Sequence, residues 1–175
     1  DPFIVLEDAD VEEAAAAAVD ARMKNFGQSC DAAKRFIVHK SISDTFLRVF
    51  EEEMAKLKFG DPMDDKTDYG SLSSKDQKDT LSKQLERSLA MGANIYWQGK
   101  QAPKSDAFFN PVILTDITPE MPTYNEEVFG PVACIFTYGS VEEAIRLAND
   151  SKYGLGASIW SKNEEFAHEL AHDIE

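Results

Sequence analysis

Cysteine is scarce in this chain: Cys30 and Cys134 are the two among 175 residues. That excludes a disulfide-stapled scaffold and fits a reducing, cytoplasmic setting. Long apolar runs are missing too. None approaches the roughly 20 residues of a membrane-spanning helix, and the first residues lack the basic-then-apolar order of a secretory signal. Positive charge is short. Eighteen Lys and Arg face 32 Asp and Glu, a net charge of −14, which leaves no basic face for phosphate backbones and disfavours an anionic membrane surface. Neither nucleic acid nor membrane is therefore an expected partner. There is no G-x-G-x-x-G and no Walker loop, so the usual phosphate cradles are absent. Three histidines remain; His168 and His172, spaced i, i+4, read as a solvated helix face rather than a metal site.

What is present is ordinary globular material: 43% hydrophobic, 10% aromatic and 29% charged residues, in a length that buries about 70% of the unfolded surface. Phe3-Ile4-Val5-Leu6 reads as a buried strand. Asp8 and Asp10 offer caps to an alanine-rich helix over 11–24, and 25–31 interrupts it. A strand over 35–39 follows, then a helix capped by Ser43 or Asp44 and ended by Gly60-Asp61-Pro62. Another helix is expected over 74–91 with Gly92 as its C-terminal cap, then a short strand over 93–97 and a Gly/Lys/Gln/Pro loop. The strand within 108–117 meets Pro111, which suggests an edge or irregular strand, and 119–125 reads as loop. Strand 132–138, helix 141–149, strand 157–160 and helix 164–174 complete the chain. Alternating strands and helices predict an α/β fold, a three-layer sandwich with a mainly parallel sheet.

Two stretches carry candidate chemistry. Gly27-Gln28-Ser29-Cys30 puts a thiol in a glycine-containing loop, at the start of a short helix if one forms there, where backbone N–H groups would favour a thiolate. Lys24, Lys34 and Arg35 are near in sequence. The alternative is a small buried apolar residue. Glu126-Glu127-Val128-Phe129-Gly130-Pro131 pairs carboxylates with a ring and suits sugar hydroxyls and a planar ligand; a solvated acidic turn is the plainer reading. Cys134, inside an apolar strand pattern, reads as core.

In order and spacing, five stretches resemble the catalytic domain of the NAD(P)-dependent aldehyde dehydrogenases. They are Pro2 to Asp10, Asn25-Phe26-Gly27-Gln28-Ser29-Cys30, Lys58-Phe59-Gly60-Asp61-Pro62, Glu126 to Val132, and Ala148-Asn149-Asp150-Ser151-Lys152-Tyr153-Gly154-Leu155. Residues 27–38 are most similar to bacterial NAD-linked succinate-semialdehyde dehydrogenases. The resemblance implies Cys30 as nucleophile, passing through a thiohemiacetal and a thioester, with its N–H in the oxyanion hole. It implies Glu127 as the carboxylate on the nicotinamide ribose and Phe129 as the ring beside it, with NAD or NADP as cofactor. It further implies a small aldehyde substrate and a homo-oligomer, dimer or tetramer. Lys24 stands where some relatives carry an arginine for a substrate carboxylate, and keeps the charge without the planar fork. Ala32 replaces a second cysteine found in some relatives, so that redox pair is not encoded.

The family's Glu-Leu-Gly-Gly base motif and its Rossmann-type cofactor domain are not in this sequence. The expectation is therefore a catalytic domain over 1–175, cut at both ends, with little dehydrogenase activity by itself. Alternatives are an acylating aldehyde dehydrogenase or semialdehyde reductase, and a non-catalytic interaction module that kept the fold.

Overall fold

The computed structural model describes residues 1–100 and 105–175; part of the loop expected after Trp97 lies outside them. Strand β1 (Pro2–Val5) leads through helix α1 (Val11–Met23) to β2 (Arg35–His39). Helices α2 (Ser43–Lys56) and α3 (Lys75–Ala90) precede the pair β3 (Asn94–Gln98) and β4 (Val112–Thr115). A single turn, α4 (Pro122–Asn125), leads to β5 (Val132–Tyr138), α5 (Val141–Asn149), β6 (Ser158–Trp160) and α6 (Glu164–Ala171). The sheet runs β3-β4-β5-β2-β1-β6. All neighbours pair in parallel except β3, which runs antiparallel to β4.

The layers follow from alternation along β2, since successive side chains leave a strand on opposite faces. Phe36 meets Phe50 of α2, ring centroids 5.3 Å apart, while its neighbour Arg35 reaches the Ala148 carbonyl of α5 on the other face. Helices α1 and α2 thus cover one face and α5 the other, a three-layer sandwich with a mostly parallel sheet. The alanine run explains how α1 fits: Ala14, Ala15 and Ala18 are fully buried, and their small side chains let α1 lie close to α2. Each buried aromatic or aliphatic side chain in these layers contributes about 1.5–3 kcal/mol.

Several local expectations fail, each for a tertiary or local reason. Strand β4 is interior, between β3 and β5; Pro111 sits just before it and costs the ladder no donor, while its carbonyl accepts from Gly99 N–H. Residues 122–125 form a helical turn because Pro122 stands at its first position, where proline's fixed φ is an asset. Helix α2 is capped by neither Ser43 nor Asp44: Ile42 holds the cap position, and Ser43 Oγ donates to the Lys40 carbonyl instead. Asp10 does cap α1 through Glu13 N–H. Asp8 instead accepts from Ser161 Oγ and the N–H groups of Lys162 and Asn163, pinning the entry to α6.

Candidate active site

Chain order puts the candidate site at the N-terminal ends of the parallel strands. Cys30 precedes β2 and Glu127 precedes β5. After α1 the chain makes a 3-10 turn, Lys24–Gly27, in which Asn25 (φ 49°), Phe26 (φ 58°) and Gly27 (φ 74°) are all left-handed. Two non-glycine residues there cost about 1 kcal/mol or more each. Phe26 is held in place by rings: Phe59, Tyr69 and Phe108 lie 5.5, 6.0 and 6.1 Å away, centroid to centroid. Gly27 is obligatory, because a Cβ there would come within 2.2 Å of the Gly130 carbonyl oxygen. The thiol loop and the Glu127–Gly130 turn are therefore pressed backbone to backbone.

Two buried cations lie under this contact. Arg22, with no exposed surface, donates from Nη2 to the Gly27 carbonyl at 2.7 Å. Burial pulls its guanidinium down to about 10, against the opposing pull of Cys134 and Glu127, so it stays charged at neutral pH. Lys34, its side chain 9% exposed, donates from Nζ to the carbonyls of Ser29, Cys30 and Ala32 at 3.2, 3.2 and 3.1 Å. It stands 3.9 Å from Glu127 Oε1. Burial lowers the Lys34 pKa, as does Arg22, while Glu127 opposes them.

Cys30 itself is exposed and lies in an irregular turn. No helix starts there, contrary to the helix-start expectation; the helix before it, α1, presents its C-terminus. Charge on this loop comes from side chains instead. The three cations near Cys30 in sequence separate in space. Lys34 lies beneath the loop. Arg35 turns to the other face, its guanidinium 5.0 and 5.2 Å from the ring centroids of Tyr124 and Phe136. Lys24 stands outside, 58% exposed, paired with Asp31 at 2.5 Å. That ion pair and the Ser29 hydroxyl hold the Asp31 carboxyl down at about 2.

The paired glutamates also divide. Glu126 is anchored by Gln84 Nε2 at 3.0 Å and Arg87 at 3.3 Å. Glu127 is 40% exposed, and its ion pair with Lys34 is longer than a hydrogen bond. Helix α3 fixes the turn from behind: Gln77 donates to the Phe129 carbonyl at 2.7 Å and Gln84 to the Glu127 carbonyl at 3.2 Å. Gln28 ties the thiol loop to the segment before α3 by accepting from Ser73 N–H at 2.8 Å. Phe129 is half-buried beside Gly130.

Cys134 is core, as its strand pattern suggested: fully buried in β5, its thiol pushed up to about 12 by desolvation. The stretch His168-Glu169-Leu170-Ala171-His172 has the H-E-x-x-H order of zinc-binding helices, an order the sequence reading passed over. Both histidines are exposed, and among the described residues no group of three His, Cys, Asp or Glu could hold a metal. Sequence reasoning missed Arg22, Gln77 and Gln84 as supports of the site. An arginine on the apolar face of an alanine-rich helix was the one available signal, since a buried guanidinium needs a partner.

The sequence profile of the Aldehyde dehydrogenase family matches residues 1–175. Succinate-semialdehyde dehydrogenase [NADP(+)] of Mycobacterium avium (strain 104) is 45% identical over 175 residues, covering 100% of this chain and 37% of its own length. The crystal structure of succinic semialdehyde dehydrogenase from Streptococcus pyogenes with NADP+ superposes with a TM-score of 0.94 at 39% identity, over 100% of this chain and 38% of that one. Betaine aldehyde dehydrogenase from Staphylococcus aureus with NAD+ gives 0.92 at 33% identity, over 99% and 35%. The chain thus spans little more than a third of the length of the relatives it matches.

Proposed function

This chain belongs to the aldehyde dehydrogenase family, and we propose that it is the nucleophile-bearing catalytic domain of an NAD- or NADP-dependent enzyme that oxidises succinate semialdehyde, or a related aldehyde, to the acid. One observation carries the reading. An exposed cysteine stands on a strained loop whose backbone is held by a buried ammonium and pressed against a turn bearing an accessible carboxylate. A structural thiol would need none of this, which argues against a non-catalytic module. The names of the relatives support the substrate class and favour NADP.

In this mechanism the Cys30 thiolate adds to the aldehyde carbon, forming a C–S bond and moving the carbonyl electron pair onto oxygen. The Cys30 N–H is a hydrogen-bond donor for that oxyanion, an interaction often worth about 3 kcal/mol. A nicotinamide cofactor held at Glu127 and Phe129 would supply the hydride acceptor for that carbon, and Cys30 would then carry the acyl group as a thioester. Water then cleaves the C–S bond, releasing acid and restoring the thiol, so one hard step becomes two easier ones. The residues present fit the cofactor. Lys34 has three N–H donors and spends them on three carbonyls, which leaves Glu127 with acceptor oxygens for ribose hydroxyls and Phe129 as the adjacent ring. Lys24 is assigned to a substrate carboxylate, which would have to displace Asp31.

Iodoacetamide labelling of the chain, read by peptide mass spectrometry, tests the nucleophile. Cys30 should be modified and Cys134 spared, and Cys30→Ala should abolish the signal; labelling unchanged in that variant would sink the reading. The 175-residue chain alone should turn over little succinate semialdehyde with either cofactor, and substantial turnover would contradict the domain assignment. An aldehyde panel with NAD, NADP and coenzyme A on the protein that contains this chain separates hydrolytic from acylating chemistry.

A further inference from the structure

The Lys34 contacts carry a consequence for the backbone around the thiol. In a trans peptide the C=O and the following N–H lie in one plane and point in opposite directions. Lys34 draws three carbonyls toward its ammonium, so the N–H groups of Cys30, Asp31 and Ala33 point away from it. One of these, Ala33 N–H, donates to the Ala21 carbonyl at 3.1 Å. Among the described residues the Cys30 N–H meets no acceptor, and its residue is exposed.

An ammonium is suited to this task because it carries three donors and a charge, enough for three acceptors at once. The site also demands it. Three converging carbonyl dipoles with no donor between them would repel one another, and burying them unpaired would cost about 1–3 kcal/mol each. Without Lys34 the peptide planes at 29–30 would be free to flip their carbonyls toward water, which would turn the Cys30 N–H inward.

We propose that Lys34 is a positioning residue: by holding the carbonyls of Ser29, Cys30 and Ala32 inward, it presents the Cys30 N–H beside its own thiol, where an oxyanion on the attacked carbon would accept it. The inference rests on the reading of Cys30 as nucleophile.

Two reagents separate positioning from mere folding or thiol ionisation. Iodoacetamide alkylates by displacement: the thiolate forms an S–C bond, iodide leaves, and no oxyanion arises. p-Nitrophenyl acetate acylates: the thiolate adds to the carbonyl, a tetrahedral oxyanion forms, and nitrophenolate leaves to give a thioester. Both rates are measured on the 175-residue chain. Lys34→Met, which keeps the stem and loses the donors, should lower the acylation-to-alkylation ratio about tenfold or more, and Lys34→Arg should restore most of it. A ratio that keeps its wild-type value in Lys34→Met, whether the two rates hold or fall together, overturns the proposal. Should Lys34→Met fail to fold, Lys34→Gln, with two donors for three carbonyls, reads the same ratio. Its drop with recovery in Lys34→Arg supports the proposal, and an unchanged ratio overturns it. Failure of the underlying reading is distinguishable, because Cys30→Ala would then retain both reactions.

Discussion

The two ends of the parallel strands are built to different standards. At the C-terminal ends the polar groups around the cleft are satisfied. Asp8 accepts from Ser161, Lys162 and Asn163, Ser140 caps α5, Asn163 caps α6, and Tyr138 donates to the Val5 carbonyl at 3.1 Å. A cleft of about 350 Å³ opens there, lined by Leu6, Asp8, His39 and Tyr138 among others. At the N-terminal ends the chain carries three left-handed residues in a row and the buried cations Arg22, Lys34 and Arg35. Among the described residues, the buried side-chain atoms without a protein partner, on Asp1, Arg22, Arg35 and Asn110, also gather before or at the start of strands, or at the end of α1. Open α/β sheets usually take ligands at the C-terminal ends of their strands, and here the candidate chemistry sits at the other end. Concavity with satisfied groups is scaffold; strain and desolvated charge, held in place by neighbours, mark the site.

Glycine substitutions test that contrast most sharply. Gly27→Ala should cost about 3 kcal/mol or more in urea unfolding, since its Cβ meets a backbone oxygen at 2.2 Å and its φ is +74°. At the other end Gly139→Ala should stay within about 0.5 kcal/mol, because the nearest atom is the mobile Nζ of Lys40 at 3.2 Å. Equal costs would erase the distinction. Asp8→Ala should remove about 1–2 kcal/mol by taking the acceptor from the Ser161 hydroxyl and the N–H groups of Lys162 and Asn163, while the rate of Cys30 labelling holds. A slowed rate would mean that the two ends are coupled.

The smallest effects belong to the exposed latch on the thiol loop. The Asp31 carboxyl should titrate near pH 2 by NMR rather than near the usual value of about 3.9. Its folded pKa is depressed, so the latch is intact above about pH 4 and is lost as pH falls toward 2. A midpoint near 4 would show that Lys24 and Ser29 do not hold it. Lys24→Met should leave the unfolding midpoint where it is, because an exposed ion pair adds little.

Much of the architecture was legible in the chain. Strand β5 and helix α5 run over the residues that an apolar run and amphipathic spacing indicate, because a strand buried on both faces and a helix buried on one leave those patterns locally in the chain. The role of Pro111 was misread, since whether a strand is central depends on what pairs beside it, and no local pattern reports that. The thiol and the turn bearing Glu127 were picked out as separate motifs; nothing in their spacing says that residues 27 and 130 touch.

The sequence by itself determined the layers, the scarcity of thiols and the loop that carries Cys30. Tertiary structure decided which of three neighbouring cations serves that loop. Lys24 went to solvent and Asp31, Arg35 to the opposite face, and Lys34 to three carbonyls beneath the thiol. Alternation at the start of β2 separates Lys34 from Arg35, and the folded turn brings the carbonyls to Lys34. A cation's partner is set by which face of the sheet it leaves and what the rest of the chain has packed there.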